Sequence, residues 1–160
     1  MNIEDNLQAM GMVLPGPIKV PAGLILPFSW VRVIGTRAFV SGHVPIAPDG
    51  SISGPFGKVG TELTVEQGYQ AARMVALGML GNLKRALGDL DRVSAWLRVF
   101  GMVNAAPGFT QLPSVINGFS DLIIELYGKE RGSHARSAVG LAELPFNAPV
   151  EIEAEVEISG

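Results

Sequence analysis

The C-terminal run 150–158 alternates without interruption between apolar residues and glutamate. This period of two is typical of a strand with one buried face and one charged face. Such a strand needs partner strands beside it and a layer of helices or a second sheet over its apolar face. The chain therefore has to fold around a sheet, and its other segments have to supply the remaining strands and the cover.

The clearest helix in the sequence is predicted over residues 64–87. Thr64 and Gln67 have the spacing of a capping box, in which each side chain accepts a hydrogen bond from the backbone of the other. Gly88 follows at the position where a left-handed residue commonly ends a helix. Apolar residues recur on one face of this helix and predict that it packs on the sheet; they are Ala72, Val75, Ala76, Met79, Leu80, Leu83 and Leu87.

The remaining segments predict an α+β fold. Two β-rich runs around Gly35 indicate a hairpin, and a glycine-rich loop occupies residues 46–63. We expect one domain over residues 1–160, of which residues 1–23 form an N-terminal helix and a proline-rich connector. The predicted order is hairpin, helix, strand, helix, strand, strand, which gives a mixed sheet with two helices packed on one face. The elements after the hairpin are helices 64–87 and 112–128 and strands 92–103, 135–142 and 150–158.

The strand at 92–103 is apolar on both faces if its side chains alternate strictly. Val93 and Val99 then mark one face, and Trp96 and Phe100 mark the other. Two helices cover only one side of a sheet, so the second face needs another cover, and a second copy of the chain is the simplest one. The sequence thus predicts an oligomer that is closed by packing between sheets.

The composition excludes several classes of function. The 12 basic and 15 acidic residues give a net charge of −3, and the basic residues are scattered, so no nucleic-acid partner is expected. The chain has no cysteine, which excludes disulfides, thiolate metal sites and a cysteine nucleophile. No segment has the pattern of a signal peptide or a membrane span, so we expect a cytoplasmic protein without a membrane partner.

Three segments together resemble the YjgF/RidA family of reactive intermediate deaminases. They are SGHVP at 41–45, the helix-to-strand unit 64–103, and ARSAVGLAELPFNAPVEIEAEVEI at 135–158. The resemblance extends over nearly the whole chain after the first two dozen residues, and the last motif is specific as a combination. It implies a fold similar to bacterial trimeric chorismate mutase and a homotrimer with clefts between subunits. It also implies hydrolysis of 2-imino or enamine acids to 2-keto acids and ammonia, with no cofactor and no metal.

The resemblance assigns roles to two residues. Arg136 would grip the carboxylate of the 2-imino acid, and its planar guanidinium offers the two parallel donors that suit a carboxylate. Glu151 would hold and polarise the attacking water, since a carboxylate is able to accept the proton that the water loses. The small-molecule partner is therefore expected to be a 2-imino or 2-keto acid.

Further substrate-binding positions follow from the resemblance, namely Phe28, Ser41, Gly42, Asn117 and Ala138. Phe28 stands where active members have tyrosine, so it keeps the ring and loses the hydroxyl. Ala138 replaces a frequent cysteine, and His43 replaces a glutamine. Because these departures lie near the substrate, two functions stay open, an imine hydrolase and a trimeric protein that binds small carboxylates without turnover. We interpret His43 and His134 as polar edge residues and not as metal ligands.

The tight turn between the last two strands predicts that they pair with each other in antiparallel fashion. In one register Arg136 and Ala138 share a face with the glutamates of 150–158, and in the other they share a face with its apolar residues. A cation relieves repulsion among glutamates, so the first register is favoured. Apart from Glu151, the glutamates of this strand are interpreted as a solvated face.

Overall fold

The computed structural model describes residues 2–160 as three helices and one five-stranded sheet. This element order confirms the predicted succession of hairpin, helix, strand, helix, strand and strand. No helix of residues 2–160 is both long and apolar enough to cross a membrane. The strands are β1 (Val31–Ile34), β2 (Arg37–His43), β3 (Val93–Asn104), β4 (Ala135–Leu141) and β5 (Val150–Ile158), and the helices are α1 (Ile3–Ala9), α2 (Val65–Leu87) and α3 (Leu112–Gly132).

The strands lie in the order β1-β2-β5-β3-β4, and β3 with β4 is the one parallel pair of this sheet. The chain leaves β3, crosses over through α3 and returns beside β3, as a parallel pair requires. The connection 142–149 then passes the end of β3, where Asn104 N donates to Pro149 O at 2.9 Å, and leads into β5. The predicted pairing of the last two strands is therefore wrong, because β3 lies between them.

The favoured register is also wrong. The β3 residue that faces Ala138 also faces Ile152 on the other side, so Arg136 and Ala138 share the face of the apolar residues of β5. That face is covered by α2 and α3. Glu151 pairs with Met102 of β3 and lies on the opposite face of the sheet.

The cations beside the glutamates of β5 are Arg37 and Arg98, and not Arg136 as expected from the sequence. Arg37 of β2 places Nη1 2.8 Å from Oε1 of Glu155, and Arg98 of β3 is the strand partner of Glu155 on the other side. Repulsion along the glutamate row is therefore relieved by the two strands that flank β5. Arg136 is free to lie on the helix side.

The helix-covered face of the sheet holds the core. Trp96 is 1% exposed and packs edge-on against Phe119 and Tyr127 of α3, at centroid distances of 5.9 and 5.8 Å. Two irregularities in the pairing of β3 with β5 break the alternation and turn Trp96 toward the helices, so the prediction of its face is wrong. The outer face keeps half-buried Phe100 and Met102, but charged residues stand among them.

Helix α2 begins and ends as its sequence predicts, whereas α3 continues past its predicted end at residue 128 to Gly132. Thr64 and Gln67 form the capping box of α2, and Gly88 is left-handed with φ 81°. Helices α2 and α3 approach closely at Gly118, where a Cβ atom would lie 1.9 Å from the carbonyl oxygen of Tyr69. Helix α1 is held at the far end of α3 by its buried Ile3 and Leu7, outside the two-helix layer that covers the sheet.

Candidate functional site

A cavity of about 340 Å³ lies beside Glu151. Its walls come from the connector, which in the structure comprises residues 10–30 between α1 and β1, from the end of β2 and from the turn before β5. They include Phe28, Trp30, Gly42 and Phe146. We call it the Glu151 cavity. It unites three of the predicted site residues, Phe28, Gly42 and Glu151, although Glu151 lies more than 100 positions from the other two in the chain.

The carboxylate of Glu151 rests directly on the backbone of Gly42. A Cβ atom at position 42 would lie 3.1 Å from Glu151 Cδ and 3.2 Å from Oε2, so a larger residue here would displace the carboxylate by a few tenths of an ångström. Burial, and secondarily the charge of Glu153, raises the pKa of Glu151. Within residues 2–160 no side chain or backbone N–H donates a hydrogen bond to this carboxylate. Both oxygens are therefore available to a water molecule or a ligand.

Three ring side chains pack against one another beside the Glu151 cavity. Phe28 packs edge-on against Trp30, and Trp30 against His43, with centroid distances of 5.2 Å in each case. The hydroxyl of Ser41 donates to the carbonyl oxygen of Ser29 at 2.7 Å, so this side chain holds the segment before β1. Ser41 itself lines a shallow depression on the outer face of the sheet and not the Glu151 cavity.

A buried polar network runs from β2 to the connector. His43 Nδ1 lies 2.6 Å from the carbonyl oxygen of Ser41, which can only accept, so Nδ1 carries the proton and Nε2 accepts from the Asn82 amide at 2.9 Å. Asn82 Oδ1 accepts from Arg85 Nη2 at 2.7 Å, and Arg85 Nη1 donates to Pro15 O at 3.1 Å. His43, interpreted above as an edge residue, is instead 1% exposed and ties the irregular end of β2 to the connector.

Arg136 lies in a second, separate pocket of about 240 Å³ near the end of α3. Its Nη1 donates to Asn117 Oδ1 at 2.9 Å and to Ser120 Oγ at 3.1 Å. The other guanidinium nitrogens make no hydrogen bond with residues 2–160, and Arg136 makes no ion pair there. One side of the guanidinium is thus held by α3, and its other side is open. Asn117, which the resemblance implies as a site residue, is one of the two groups that hold it.

His134 orients this pocket through Ser120. His134 Nδ1 lies 2.8 Å from the carbonyl oxygen of Gly132 and therefore carries the proton. His134 Nε2 then accepts from the Ser120 hydroxyl at 2.8 Å, which leaves the oxygen of Ser120 free to accept from Arg136. Burial lowers the pKa of His134, in agreement with the neutral ring. The sequence alone did not single out Ser120, although its position three residues after Asn117 places it on the same side of α3.

The structure thus brings the predicted residues together in two groups and not in one. Glu151, Gly42 and Phe28 form the first group, and Arg136 and Asn117 form the second. Ala138 lies two residues after Arg136 on the helix side and lines neither cavity.

One acidic cluster of the described residues has the spacing of a cation site. Glu4, Asp89 and Asp91 bring carboxylate oxygens within 4.8 Å of one another. Glu4 accepts from Lys84, and Asp91 accepts from Arg131, so the cluster already has cationic partners. It lies near α1, apart from both pockets.

The fold defines a class, an α+β sheet with two covering helices and a half-buried carboxylate near its β1–β2 edge. The model of the family described as "YjgF/chorismate mutase-like, putative endoribonuclease" matches residues 4–154. The chain belongs to this family, and the resemblance stated from the sequence is confirmed.

The chain is similar to several other proteins along most of its length. Protein TCP17 of Trypanosoma cruzi is 42% identical, over 98% of this chain and 94% of its own length. A protein of unknown function from Agrobacterium tumefaciens superposes with a TM-score of 0.84 at 38% identity, covering 98% of this chain and 91% of that one. A "putative endoribonuclease" from Shewanella oneidensis gives 0.88 at 28% identity, covering 99% and 100%. TdcF of E. coli, solved with bound serine, gives 0.59 at 20% identity, covering 90% and 99%, and shares the fold.

The buried network of His43 predicts a specific dependence of stability on pH. Burial lowers the pKa of His43 to about 4, so between that value and the ordinary 6.5 the unfolded chain binds a proton that the folded chain does not. Stability is then lost as the pH falls through this window. The variant His43→Gln removes the titration, and at pH 4.5 we expect its stability loss relative to pH 7 to be smaller than that of the native chain by roughly 2–3 kcal/mol. Urea unfolding of both proteins at one concentration measures this, and equal losses would contradict the neutral buried ring.

Proposed function

We propose that the chain hydrolyses 2-imino and enamine acids to 2-keto acids and ammonia, without a cofactor, at a site built by two subunits of a homotrimer. The observation that carries this proposal is the separation of Glu151 from Arg136 within one chain. One group can handle water and the other can bind a carboxylate, and neither is a complete site alone.

The positions of the two groups indicate how they meet. Arg136 lies on β4, one edge of the sheet, and the Glu151 cavity is walled by the segment that precedes β1, the other edge. A two-fold contact between identical edges would bring Arg136 to Arg136. Head-to-tail contact brings unlike edges together and closes into a ring when the rotation allows it. A trimeric ring, which the family resemblance implies, therefore sets the open side of Arg136 against the Glu151 cavity of the neighbouring subunit.

Arg136 binds the substrate carboxylate in this site. Its Nη1 is already used by Asn117 and Ser120, so the orientation of the guanidinium is set before the ligand arrives. The remaining donors lie in one plane and match the two oxygens of a carboxylate. TdcF, which shares this fold, was solved with bound serine, and serine also carries a carboxylate beside a nitrogen-bearing carbon.

Glu151 acts on the water. The water oxygen bonds to the carbon of the protonated C=N group while Glu151 accepts the water proton, and this gives a tetrahedral carbon that carries both hydroxyl and amine. Glu151 then returns this proton to the amine, the C–N bond breaks with release of ammonia, and the hydroxyl loses its proton to Glu151 as the carbonyl of the 2-keto acid forms. Burial raises the pKa of Glu151, which makes its ionised form a better base than an exposed carboxylate.

Binding without turnover is the alternative function, and the phenylalanine at position 28 favours it. Phe28 lines the Glu151 cavity without a hydroxyl, so Glu151 has to orient the water without that help.

Cleavage of RNA, which the family description names, has less support from the surface. Several of the cations form ion pairs with carboxylates and are not free for phosphates, namely Arg37, Arg73, Lys84 and Arg131.

Substitutions of Arg136 test the carboxylate grip. We expect Arg136→Ala to lower kcat/KM for imine hydrolysis by about 10²-fold or more, because charge-assisted hydrogen bonds to the substrate are lost. Arg136→Lys should recover little of this loss, since a point charge does not reproduce paired planar donors. The assay couples a dehydratase, which supplies 2-aminoacrylate or 2-iminobutyrate, to detection of the keto acid. A fully active lysine variant would show that two parallel donors are not needed.

The variant Glu151→Gln separates hydrolysis from simple binding. If Glu151 orients the water, this variant binds 2-ketobutyrate about as well as the native chain but loses roughly 10²-fold in turnover. Titration calorimetry measures the first quantity and the coupled imine assay measures the second. Absence of turnover by the native chain, together with binding of the keto acid, would establish the binding protein instead.

Complementation tests whether two subunits share the site. Arg136→Ala and Glu151→Gln chains are each expected to be inactive, but unfolding and refolding them together gives mixed rings. Random mixing restores both native residues at about a quarter of the interfaces, so about that share of native activity should return. Light scattering checks that each variant and the mixture form trimers. Mixing without any gain in activity would show that both residues act within one subunit or not at all.

A further inference from the structure

We infer that the Glu151 cavity binds the substrate's side chain, and that the substrates are 2-imino acids with a large apolar side chain. This inference rests on the proposed function, because it assumes that hydrolysis takes place beside Glu151. It goes further in naming the substrate class and the residues that select it.

The walls of the cavity are apolar apart from Glu151 and the exposed Lys19. Leu24, Leu26, Val44 and Ile52 line it from the connector, the end of β2 and the following loop. Lys19, its other ionisable lining residue, lies 3.7 Å from Asp49 across the connector, and both of these side chains are more than 60% exposed. An apolar group gains free energy by entering such a space, whereas a second carboxylate meets Glu151.

The cavity is larger than a three-carbon acid requires. Its volume of about 340 Å³ corresponds to about eleven water molecules at roughly 30 Å³ each. The imine of alanine has only six non-hydrogen atoms and is smaller than that space. Its carboxylate, moreover, lies with Arg136 at the edge of the site. Room for several further carbon atoms therefore remains beside the reacting carbon.

The connector wall is held in place by hydrogen bonds. Arg85 holds the carbonyl of Pro15, Gly16 N donates to Pro48 O at 2.9 Å, and Lys19 N donates to Gly50 O at 2.9 Å. These contacts hold residues 15–19 of the connector against α2 and the loop after β2. A wall that is ordered before binding loses little entropy when a side chain enters.

The wall that the turn before β5 contributes is also held by hydrogen bonds. Phe146 has a left-handed backbone with φ 60°, a conformation that costs free energy for a residue with a bulky side chain. Its neighbour Asn147 secures this turn, since Asn147 O accepts from Gly57 N at 2.9 Å and Asn147 Oδ1 accepts from Asn104 Nδ2 at 3.1 Å. The ring of Phe146, 48% exposed in one chain, is thereby set at the cavity wall.

A series of imines that differ only in the side chain tests the inference. An amino-acid oxidase generates the imines of alanine, leucine and glutamate, and loss of each imine is followed with and without the protein. We expect kcat/KM for the leucine imine to exceed that for the alanine imine by about tenfold or more, because each buried methylene adds to transition-state binding. The glutamate imine, similar in length but charged, should be the poorest of the three.

Two neighbouring residues of the connector provide a matched pair of variants. Leu24 lines the cavity, whereas Ile25 is 86% exposed and does not. Leu24→Gln keeps the size of the side chain and removes its apolar character, so it should lower the leucine-to-alanine ratio about fivefold. Ile25→Gln makes the same kind of change outside the cavity and should leave the ratio unaltered. Light scattering confirms that both variants keep the assembly of the native chain.

The possible results distinguish this inference from the proposed function. Hydrolysis of all three imines at similar rates, or preference for the alanine imine, overturns the side-chain subsite and leaves imine hydrolysis standing. If no imine is hydrolysed, the proposed function fails, and calorimetry with 4-methyl-2-oxopentanoate against pyruvate decides the subsite instead. Tighter binding of the larger keto acid, weakened by Leu24→Gln alone, supports it, and equal binding overturns it.

Discussion

The parallel pairing of β3 with β4 is the constraint on which the rest of the molecule depends. It forces the chain to cross over through α3, and α3 lies so close to β3 that a Cβ atom at Gly101 would be 2.6 Å from Ile116. Because β4 takes the place on one side of β3, β5 has to pair on the other side, next to β2. Arg136 and Glu151 are separated by only 15 positions in the sequence, yet the sheet sends them to different strands, different faces and different pockets.

The features of the fold that follow from local chemistry could be predicted from the sequence. The capping box at Thr64, the left-handed Gly88 and the hairpin at Gly35 each depend on a few neighbouring residues. The pairing of the strands was not predictable in the same way. A short connection with prolines favours a hairpin between sequential strands, and here it passes the end of β3 instead. The face of Trp96 was missed because the irregular pairing of β3 leaves no mark in the alternation.

In the candidate site, too, the residues in short sequence motifs were predictable and the long-range contacts around them were not. Family resemblance predicted roles for Arg136, Glu151 and Gly42, whose motifs are contiguous segments, and for Asn117 from its position in the second long helix. It gave no indication of the side chains that hold them, since those contacts join elements far apart in the chain. His134 sets the hydroxyl of Ser120 for Arg136, and Asn82 of α2 reaches His43 across 39 positions. Replacement of the family's glutamine by His43 looked like a change in the site itself. The His43 ring is instead buried outside the Glu151 cavity, and its hydrogen bonds hold the backbone at the end of β2.

These supporting contacts bear on how such a site diverges. The Arg136 guanidinium and the walls of the Glu151 cavity are held by separate networks, one through α3 and one through α2 and the connector, and the two share no hydrogen bond within residues 2–160. Changes in the connector therefore reshape the Glu151 cavity without moving Arg136. In a ring where each site takes one group from each of two subunits, the carboxylate grip stays constant while the cavity on the other subunit sets the side chain. The division of the site between two edges of one sheet would thus separate what every substrate shares from what distinguishes one substrate from another.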